Sequence, residues 1–312
     1  MGNLDPGRPV PQLTAPPPDS PRTLEPPVEA GGVRVYRDVV FANEIGYRPL
    51  RMDILVPMLA DTARDEPVPV TLWLHGGGFL MGSRRRGDLS GPPWDALLAR
   101  GVAVAVVEYR FAFEAPFPAC VHDVKAAVRW LRKYGADLGL RPDAIASWGE
   151  SAGGYLSLFL ALDGQGQAVE GTVGVTGTSS AVAAAVSWYG PTDFLRMDAQ
   201  AEGQESVHPH DEPGSPESLL IGGALPEHPD AANAASPLSY VNSAWVAPVL
   251  LLHGSLDPYV PHRQSVEFAR ALEARGADVT LNIVAGAGHM FAGVDHAPLI
   301  EQSVDFLSAH LK

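Results

Sequence analysis

The sequence has little cysteine and no long apolar run. Its 312 residues include one cysteine, Cys120, so a disulfide within the chain is excluded. No apolar stretch approaches the length that crosses a bilayer, and the first residues lack the basic start and apolar core of an export signal. We therefore expect a soluble, cytoplasmic protein, with Cys120 as a small core residue on a helix.

Positive charge is also scarce. Lys and Arg together number 22 against 36 Asp and Glu, which leaves a formal net charge of −14. This balance argues against nucleic acid or an anionic membrane as the main partner and favours a small, uncharged substrate. The length suits one extended α/β domain, and no internal repeat is evident. The oligomeric state stays open.

Two segments lack regular patterning. Residues 1–32 are rich in proline and polar residues, which predicts a disordered N-terminal tail before a single domain at residues 33–312. Residues 194–237 are rich in Gly, Pro, acids and His, which predicts an inserted loop. Their His208, His210 and Asp211 are conceivable metal ligands, but flanking prolines favour a solvated acidic loop. No metal site is predicted.

Hydrophobic patterns predict the sheet. Residues 33–41 and 50–56 alternate between apolar and polar residues, as an antiparallel edge would. Apolar runs predict the central strands, at residues 68–74, 102–107, 144–148, 182–188, 248–252 and 279–284. Helical patterns lie between several of these runs. The sequence therefore predicts an α/β fold with a mostly parallel central sheet.

A serine occupies a turn between a predicted strand and a predicted helix. The sequence Gly149-Glu150-Ser151-Ala152-Gly153 follows the strand at residues 144–148 and precedes a helical stretch at residues 154–160. Small neighbours tolerate the sharp turn that exposes such a hydroxyl. We interpret Ser151 as a nucleophile on an elbow.

Glycines follow the predicted strand at residues 68–74, in the sequence His75-Gly76-Gly77-Gly78-Phe79. Consecutive backbone N–H groups in such a loop can face an oxyanion that forms when a carbonyl is attacked. The predicted donors are the N–H groups of Gly77, Gly78 and Ala152. A turn selected only for its shape is the weaker alternative, because three glycines carry a conformational entropy cost.

An acid and a base follow later strands. Asp257 comes after the strand at residues 248–252, and His289 comes after the strand at residues 279–284. Loops at the carboxyl ends of parallel strands share one edge of the sheet, so both side chains can meet Ser151. We expect His289 to act as general base and Asp257 to orient its imidazole.

Other candidates are weaker. Asp193 also lies at a strand end, but an Asx turn or a helix N-cap explains it equally well, and Asp257 precedes the strand that delivers His289. The remaining downstream histidines are more typical of solvated or structural positions; they are His208, His210, His228, His253, His262, His296 and His310.

Four motifs together resemble the hormone-sensitive-lipase-like esterases of the α/β-hydrolase fold, in particular the bacterial branch similar to feruloyl and acetyl-xylan esterases. The motifs lie at residues 75–79, 149–154, 251–257 and 286–291. The resemblance, which runs from Val33 to the C-terminus, implies hydrolysis of carboxylic esters through an acyl-serine, without metal or cofactor. It also implies helices on both faces of the sheet and a cap formed by residues 194–237 over the catalytic face. The triad it implies is Ser151, Asp257 and His289, with the oxyanion hole at Gly77, Gly78 and Ala152.

The segment at residues 108–114 departs from the family pattern, since Phe111 and Phe113 stand where Leu and Pro are usual. Two aromatic rings there can offer a flat surface to an aromatic acyl group, or they can belong to the core. The candidate substrate-binding residues are Phe79, Glu150, Phe111 and Phe113.

The sequence therefore predicts a serine carboxylesterase for short to medium acyl esters. Long-chain glycerides are disfavoured, because no large apolar lid segment is evident. Two other functions stay open: an amide-cleaving relative with the same triad, such as an arylformamidase or a peptidase, and a non-catalytic ligand-binding relative of the fold.

Overall fold

The computed structural model describes residues 16–58, 66–85, 93–163, 169–203 and 209–312. In these ranges the strands are β1 (Val28–Ala30), β2 (Val33–Ala42), β3 (Leu50–Pro57), β4 (Val68–Leu74), β5 (Ala103–Val107), β6 (Leu140–Glu150), β7 (Leu162–Asp163), β8 (Ala185–Trp188), β9 (Trp245–Val246), β10 (Val249–Gly254) and β11 (Val279–Val284).

The helices in the same ranges are α1 (Asp95–Ala99), α2 (Ala119–Tyr134), α3 (Ala152–Ala161), α4 (Met197–Ala201), α5 (Pro216–Ile221), α6 (Pro229–Ala234), α7 (Arg263–Glu273) and α8 (Ala297–His310). Short 3₁₀ helices cover Gly135–Leu138, Phe194–Arg196, Leu225–Glu227, Pro237–Tyr240 and His289–Phe291. No helix in the described part of the chain is both long and apolar enough to span a membrane.

Within the described residues, nine strands form one sheet in the order β1-β2-β3-β5-β4-β6-β8-β10-β11, and β7 pairs separately with β9. The pairs β1–β2, β2–β3 and β3–β5 are antiparallel, whereas β5–β4, β4–β6, β6–β8, β8–β10 and β10–β11 are parallel. The predicted antiparallel edge and parallel centre are confirmed. The predicted fold class, an α/β-hydrolase fold, is confirmed with them.

Apolar side chains cover both faces of the sheet. Leu72 and Leu74 of β4 join a cluster with α2, α3 and α7, while the intervening Trp73 joins a cluster with α1 and α8. The central strands are buried on both sides, which explains their continuous apolar runs. Cys120 is buried in α2, as predicted.

The predicted boundary of the N-terminal tail at residue 32 is wrong. Residues 28–30 form β1 on the sheet edge. Earlier still, the Asp19 N–H donates to the Val40 carbonyl (2.8 Å), and the Trp130 indole donates to the Asp19 carbonyl (2.8 Å). A three-residue strand is too short to show a period in sequence. Residues 1–15 of the predicted tail lie outside the described residues.

The segment at residues 194–237 contains α4, α5 and α6, together with 3₁₀ turns. Its helices have five or six residues each, too few to produce the amphipathic period that a sequence analysis detects. His208 lies outside the described residues. In the described ranges, no three His, Cys, Asp or Glu side chains are grouped so that they could hold a metal ion.

Candidate active site

Ser151 occupies the turn between β6 and α3, as the sequence predicts. Its backbone is strained, with φ 51° and ψ −119°. The turn is closely packed: a Cβ on Gly153 would lie 1.9 Å from the Leu74 carbonyl oxygen, and one on Gly149 would lie 2.1 Å from the Gly153 carbonyl oxygen. Only glycine fits at both positions, so the glycines allow α3 to begin directly against the sheet.

The structure brings Ser151, His289 and Asp257 together. The Nε2 atom of His289 lies 3.2 Å from the Ser151 Oγ, and its Nδ1 atom lies 2.7 Å from the Asp257 Oδ2. With the proton on Nδ1 donated to the carboxylate, Nε2 is free to accept the serine proton. The three residues follow β6, β10 and β11, whose carboxyl ends share one edge of the sheet.

The Asp257 carboxylate is buried and fully hydrogen-bonded. Its Oδ1 atom accepts the backbone N–H groups of Tyr259 (2.8 Å) and Val260 (2.9 Å). Burial opposes its ionisation, but the hydrogen bonds and charges of His253 and His289 outweigh burial and hold the pKa of Asp257 well below its usual range. Asp257 is therefore an anion that can stabilise a charged imidazole at His289.

His253 belongs to this arrangement, although the sequence placed it only among solvated or structural histidines. Its Nε2 atom lies 2.9 Å from the Val260 carbonyl oxygen and 3.4 Å from the Asp257 Oδ2, and its Nδ1 atom lies 2.7 Å from the Ser265 Oγ. It thus supports the same Asp257 oxygen that His289 contacts. The signal available in sequence was its position inside β10, four residues before Asp257.

The alternative acid, Asp193, makes different contacts. It precedes the 3₁₀ helix Phe194–Arg196, and its backbone N–H donates to the Gln264 Oε1 (2.7 Å). Burial raises the pKa of Asp193. The carboxylate beside His289 is that of Asp257.

The glycine loop lies against Ser151. A Cβ on Gly76 would lie 3.2 Å from the Ser151 Cβ, and Gly77 and Gly78 line the cavity above the serine. Gly77 has φ 124°, and a Cβ there would lie 2.0 Å from the Met81 carbonyl oxygen, so the turn requires glycine. Ala152 begins α3, where the first N–H groups have no carbonyl partner within the helix. These backbone groups can bind an oxyanion.

A cavity of about 520 Å³ opens over Ser151. Glu150, predicted to bind substrate, lines it and accepts a hydrogen bond from the Tyr189 hydroxyl (3.1 Å). Sequence analysis missed several other lining residues, among them Tyr189, Tyr259, Met290, Pro216 and Glu217. Tyr189 directly follows β8, so the strand-end argument that located Ser151 could have found it.

The three phenylalanines predicted to bind substrate do not line this cavity. Phe79 is 2% exposed and packs in the core against Tyr155, with ring centroids 5.0 Å apart. Phe111 packs on Tyr109 and on Phe113, a residue that is 73% exposed. Because Phe79, with φ 63°, is buried in the core, its predicted role in substrate binding is wrong, whereas substrate binding by Phe111 and Phe113 stays a prediction.

Comparison with known proteins identifies relatives of this chain. The BD-FAE family model matches residues 52–272. Esterase LipQ of Mycobacterium tuberculosis is 31% identical over 79% of this chain and 56% of its own length. Ethyl acetate hydrolase of Pseudomonas putida is 30% identical over 78% of this chain and 70% of its own length. The chain thus spans only about half the length of LipQ, a fraction that is similar for a second mycobacterial relative, LipM (53%).

A solved structure of an esterase is also similar to this chain. The truncated form of a carbohydrate esterase from gut microbiota matches with a TM-score of 0.74 and 27% identity, covering 88% of this chain and 95% of that chain. The family model covers most of the chain, and the resemblance found in the motifs is confirmed. The chain belongs to the BD-FAE family, among the hormone-sensitive-lipase-like esterases of the α/β-hydrolase fold.

Proposed function

We propose that this protein is a serine carboxylesterase that hydrolyses esters of short to medium acyl groups. One observation carries the proposal: His289 lies between the Ser151 hydroxyl (3.2 Å) and the Asp257 carboxylate (2.7 Å), at the wall of an open cavity. The printed names of the relatives, an esterase and an ethyl acetate hydrolase, support the same activity.

The reaction proceeds in two stages. In the first, His289 takes the Ser151 proton while Oγ bonds the ester carbonyl carbon, and the N–H groups of Gly77, Gly78 and Ala152 bind the oxyanion. The carbonyl re-forms as the bond to the alcohol oxygen breaks, and His289 returns the proton to that oxygen. In the second stage, water attacks the acyl-serine by the same proton transfers and releases the acid.

Asp257 and the cap complete the proposed site. Asp257 accepts a hydrogen bond from the Nδ1–H group of His289, so the unprotonated Nε2 atom faces the serine. The carboxylate also stabilises the imidazolium that forms. We assign residues 194–237 as a cap, supported by Pro216 and Glu217 on the cavity wall. A cytoplasmic location, and the absence of nucleic acid and membrane partners, stay predictions from the sequence.

Cavity size supports the proposed range of substrates. A volume of about 520 Å³ accommodates a small ester. The Tyr189 and Tyr259 side chains on its wall offer flat surfaces for an aromatic group.

Covalent labelling and matched substrates test the proposal. We expect a fluorophosphonate to label Ser151, located by peptide mass spectrometry, with no label on the Ser151→Ala variant. We also expect kcat/KM for 4-nitrophenyl acetate to exceed that for 4-nitroacetanilide by more than the ratio of their uncatalysed rates. Absence of label on Ser151 favours a ligand-binding relative, and a preference for the anilide favours an amide-cleaving enzyme; either result contradicts the proposal.

A further inference from the structure

We propose that Glu217 determines substrate specificity by charge, so that the site favours esters carrying a positively charged group over neutral esters of the same shape and disfavours anionic ones. The inference rests on the proposed esterase function and specifies its substrate class. It assigns a role to a residue of the short helix α5 that the reaction itself does not use.

Glu217 lies close to the reacting groups. It lines the cavity that contains Ser151 and His289, although its side chain is only 6% exposed. Its neighbour Pro216 packs against the oxyanion loop, since the Pro216 Cγ lies 3.4 Å from the position that a Cβ on Gly78 would take. A substrate whose carbonyl contacts this loop therefore occupies the cavity that Glu217 lines.

The surroundings of Glu217 are acidic. His210 contacts it, with Nδ1 3.2 Å from Oε2. The backbone N–H groups of His210 and Asp211 donate to the Asp198 carboxylate, at 2.7 Å and 2.9 Å. Among these described groups, the three carboxylates of Glu217, Asp198 and Asp211 surround one imidazole, so their summed charge stays negative even when His210 is protonated.

Burial disfavours the charged form of His210, but the hydrogen bond to Glu217 and the charges of Glu217, Asp198 and Asp211 outweigh burial and raise its pKa. His210 therefore holds the carboxylate in position.

The rest of the cavity wall suits a cation. Glu150 adds a second carboxylate beside the nucleophile, and the rings of Tyr189 and Tyr259 line the same space. Among the described lining residues there is no Lys or Arg, and His289 is the one basic side chain. Aromatic faces and carboxylates at low solvent exposure attract an ammonium group and repel a carboxylate.

A pair of esters with the same shape tests the inference. The substrates are 3-(trimethylammonio)phenyl acetate and 3-tert-butylphenyl acetate, which differ in charge and hardly in size, with 3-acetoxybenzoate as the anion. Because intrinsic reactivity differs between the leaving groups, the measured quantity is the change that a substitution causes in the cation-to-neutral ratio of kcat/KM.

We expect Glu217→Gln to lower this ratio about tenfold and to raise the relative rate of the anion, because one unit charge beside the bound ring is removed. Glu217→Asp keeps the charge, and we expect its ratio to stay within about threefold of the wild-type value. Glu227→Gln is the matched control: it removes the same charge from an exposed position of the same segment, so the ratio should not change. An unchanged ratio in Glu217→Gln, with the neutral ester still hydrolysed, overturns the inference.

A binding measurement distinguishes failure of the inference about Glu217 from failure of the proposed esterase function. In the Ser151→Ala background, calorimetry compares 3-(trimethylammonio)phenol with 3-tert-butylphenol, with and without Glu217→Gln. We expect the cation to bind more tightly and to lose about tenfold in relative affinity on the substitution. This readout needs no turnover. Failure of wild-type hydrolysis contradicts the esterase proposal, whereas equal binding of the two phenols contradicts the role of Glu217.

Discussion

Single side chains around His289 have distinct tasks, and Asp257 is the most constrained of them. Both of its oxygens are occupied, Oδ1 by two backbone N–H groups and Oδ2 by His289, with His253 adjacent. Backbone contacts keep the carboxylate in place, so a change in its charge should affect chemistry more than position.

We expect Asp257→Asn to lower kcat by about 10⁴-fold while the fold persists. An asparagine amide that donates to Nδ1 would put the imidazole proton on Nε2, which then cannot accept the serine proton. Steady-state rates with 4-nitrophenyl acetate, together with far-UV circular dichroism, check this expectation. A loss of less than about tenfold in the folded variant would show that Asp257 does not orient the base.

The same variant isolates the pH dependence of stability that Asp257 causes. Its folded-state pKa is lowered from the ordinary 3.8, so its contribution to the free energy of unfolding is complete above that value and is lost as pH falls below it. We expect the stability difference between wild type and Asp257→Asn to shift against the wild type as the pH falls from about 4 to 2. Urea unfolding at several pH values measures it. A difference that is flat across the acid range would contradict an ionised Asp257.

At the scale of secondary-structure elements, the turn that joins β6 to α3 is closely packed. A Cβ on Gly153 would lie 1.9 Å from the Leu74 carbonyl oxygen and would force α3 away from β4. We expect Gly153→Ala to lower the free energy of unfolding by about 3 kcal/mol and to reduce labelling of Ser151 by a fluorophosphonate.

Gly214→Ala is the control for this substitution. A Cβ at Gly214 meets nothing within 4 Å, so its effect on unfolding should stay within about 0.5 kcal/mol. Equal stability of the two alanine variants in urea unfolding would contradict the steric argument.

Strands and helices could be predicted from the sequence where the signal lies in neighbouring residues. The parallel strands are recognisable because burial on both faces requires an unbroken apolar run. The helix α5 has no such period, but it carries a start signal: the Ser215 hydroxyl accepts the Ser218 N–H (3.1 Å), and Pro216 occupies the first turn. That signal was present in sequence and would have located the helix that carries Glu217.

At the scale of the whole molecule, part of the chain before the first long strand, β2, is bound to the rest of the domain. Asp19 holds this segment through its carboxylate, which accepts the Val40 N–H (2.9 Å), and through its carbonyl, which accepts the indole N–H of the buried Trp130. Removal of the acceptor leaves that indole without its hydrogen bond inside the core.

We therefore expect deletion of residues 1–24 to lower the melting temperature by roughly 5 °C. Deletion of residues 1–15 leaves the contacts of Asp19 intact and is the matched control. Differential scanning calorimetry of the two truncated proteins measures the effect. Equal melting temperatures would mean that the Asp19 contacts contribute nothing to stability.

Local chemistry in the chain was sufficient to indicate the α/β class, the serine turn, the glycine loop, and the acid and histidine that follow later strands. Each of these depends on neighbouring residues, because turns need small residues and buried strands need apolar ones. Tertiary packing alone decided that His253 supports Asp257, that Phe79 points to the core, and that Glu217 reaches the cavity. Those contacts join side chains from different elements, and their geometry exists only after the sheet has brought the elements together.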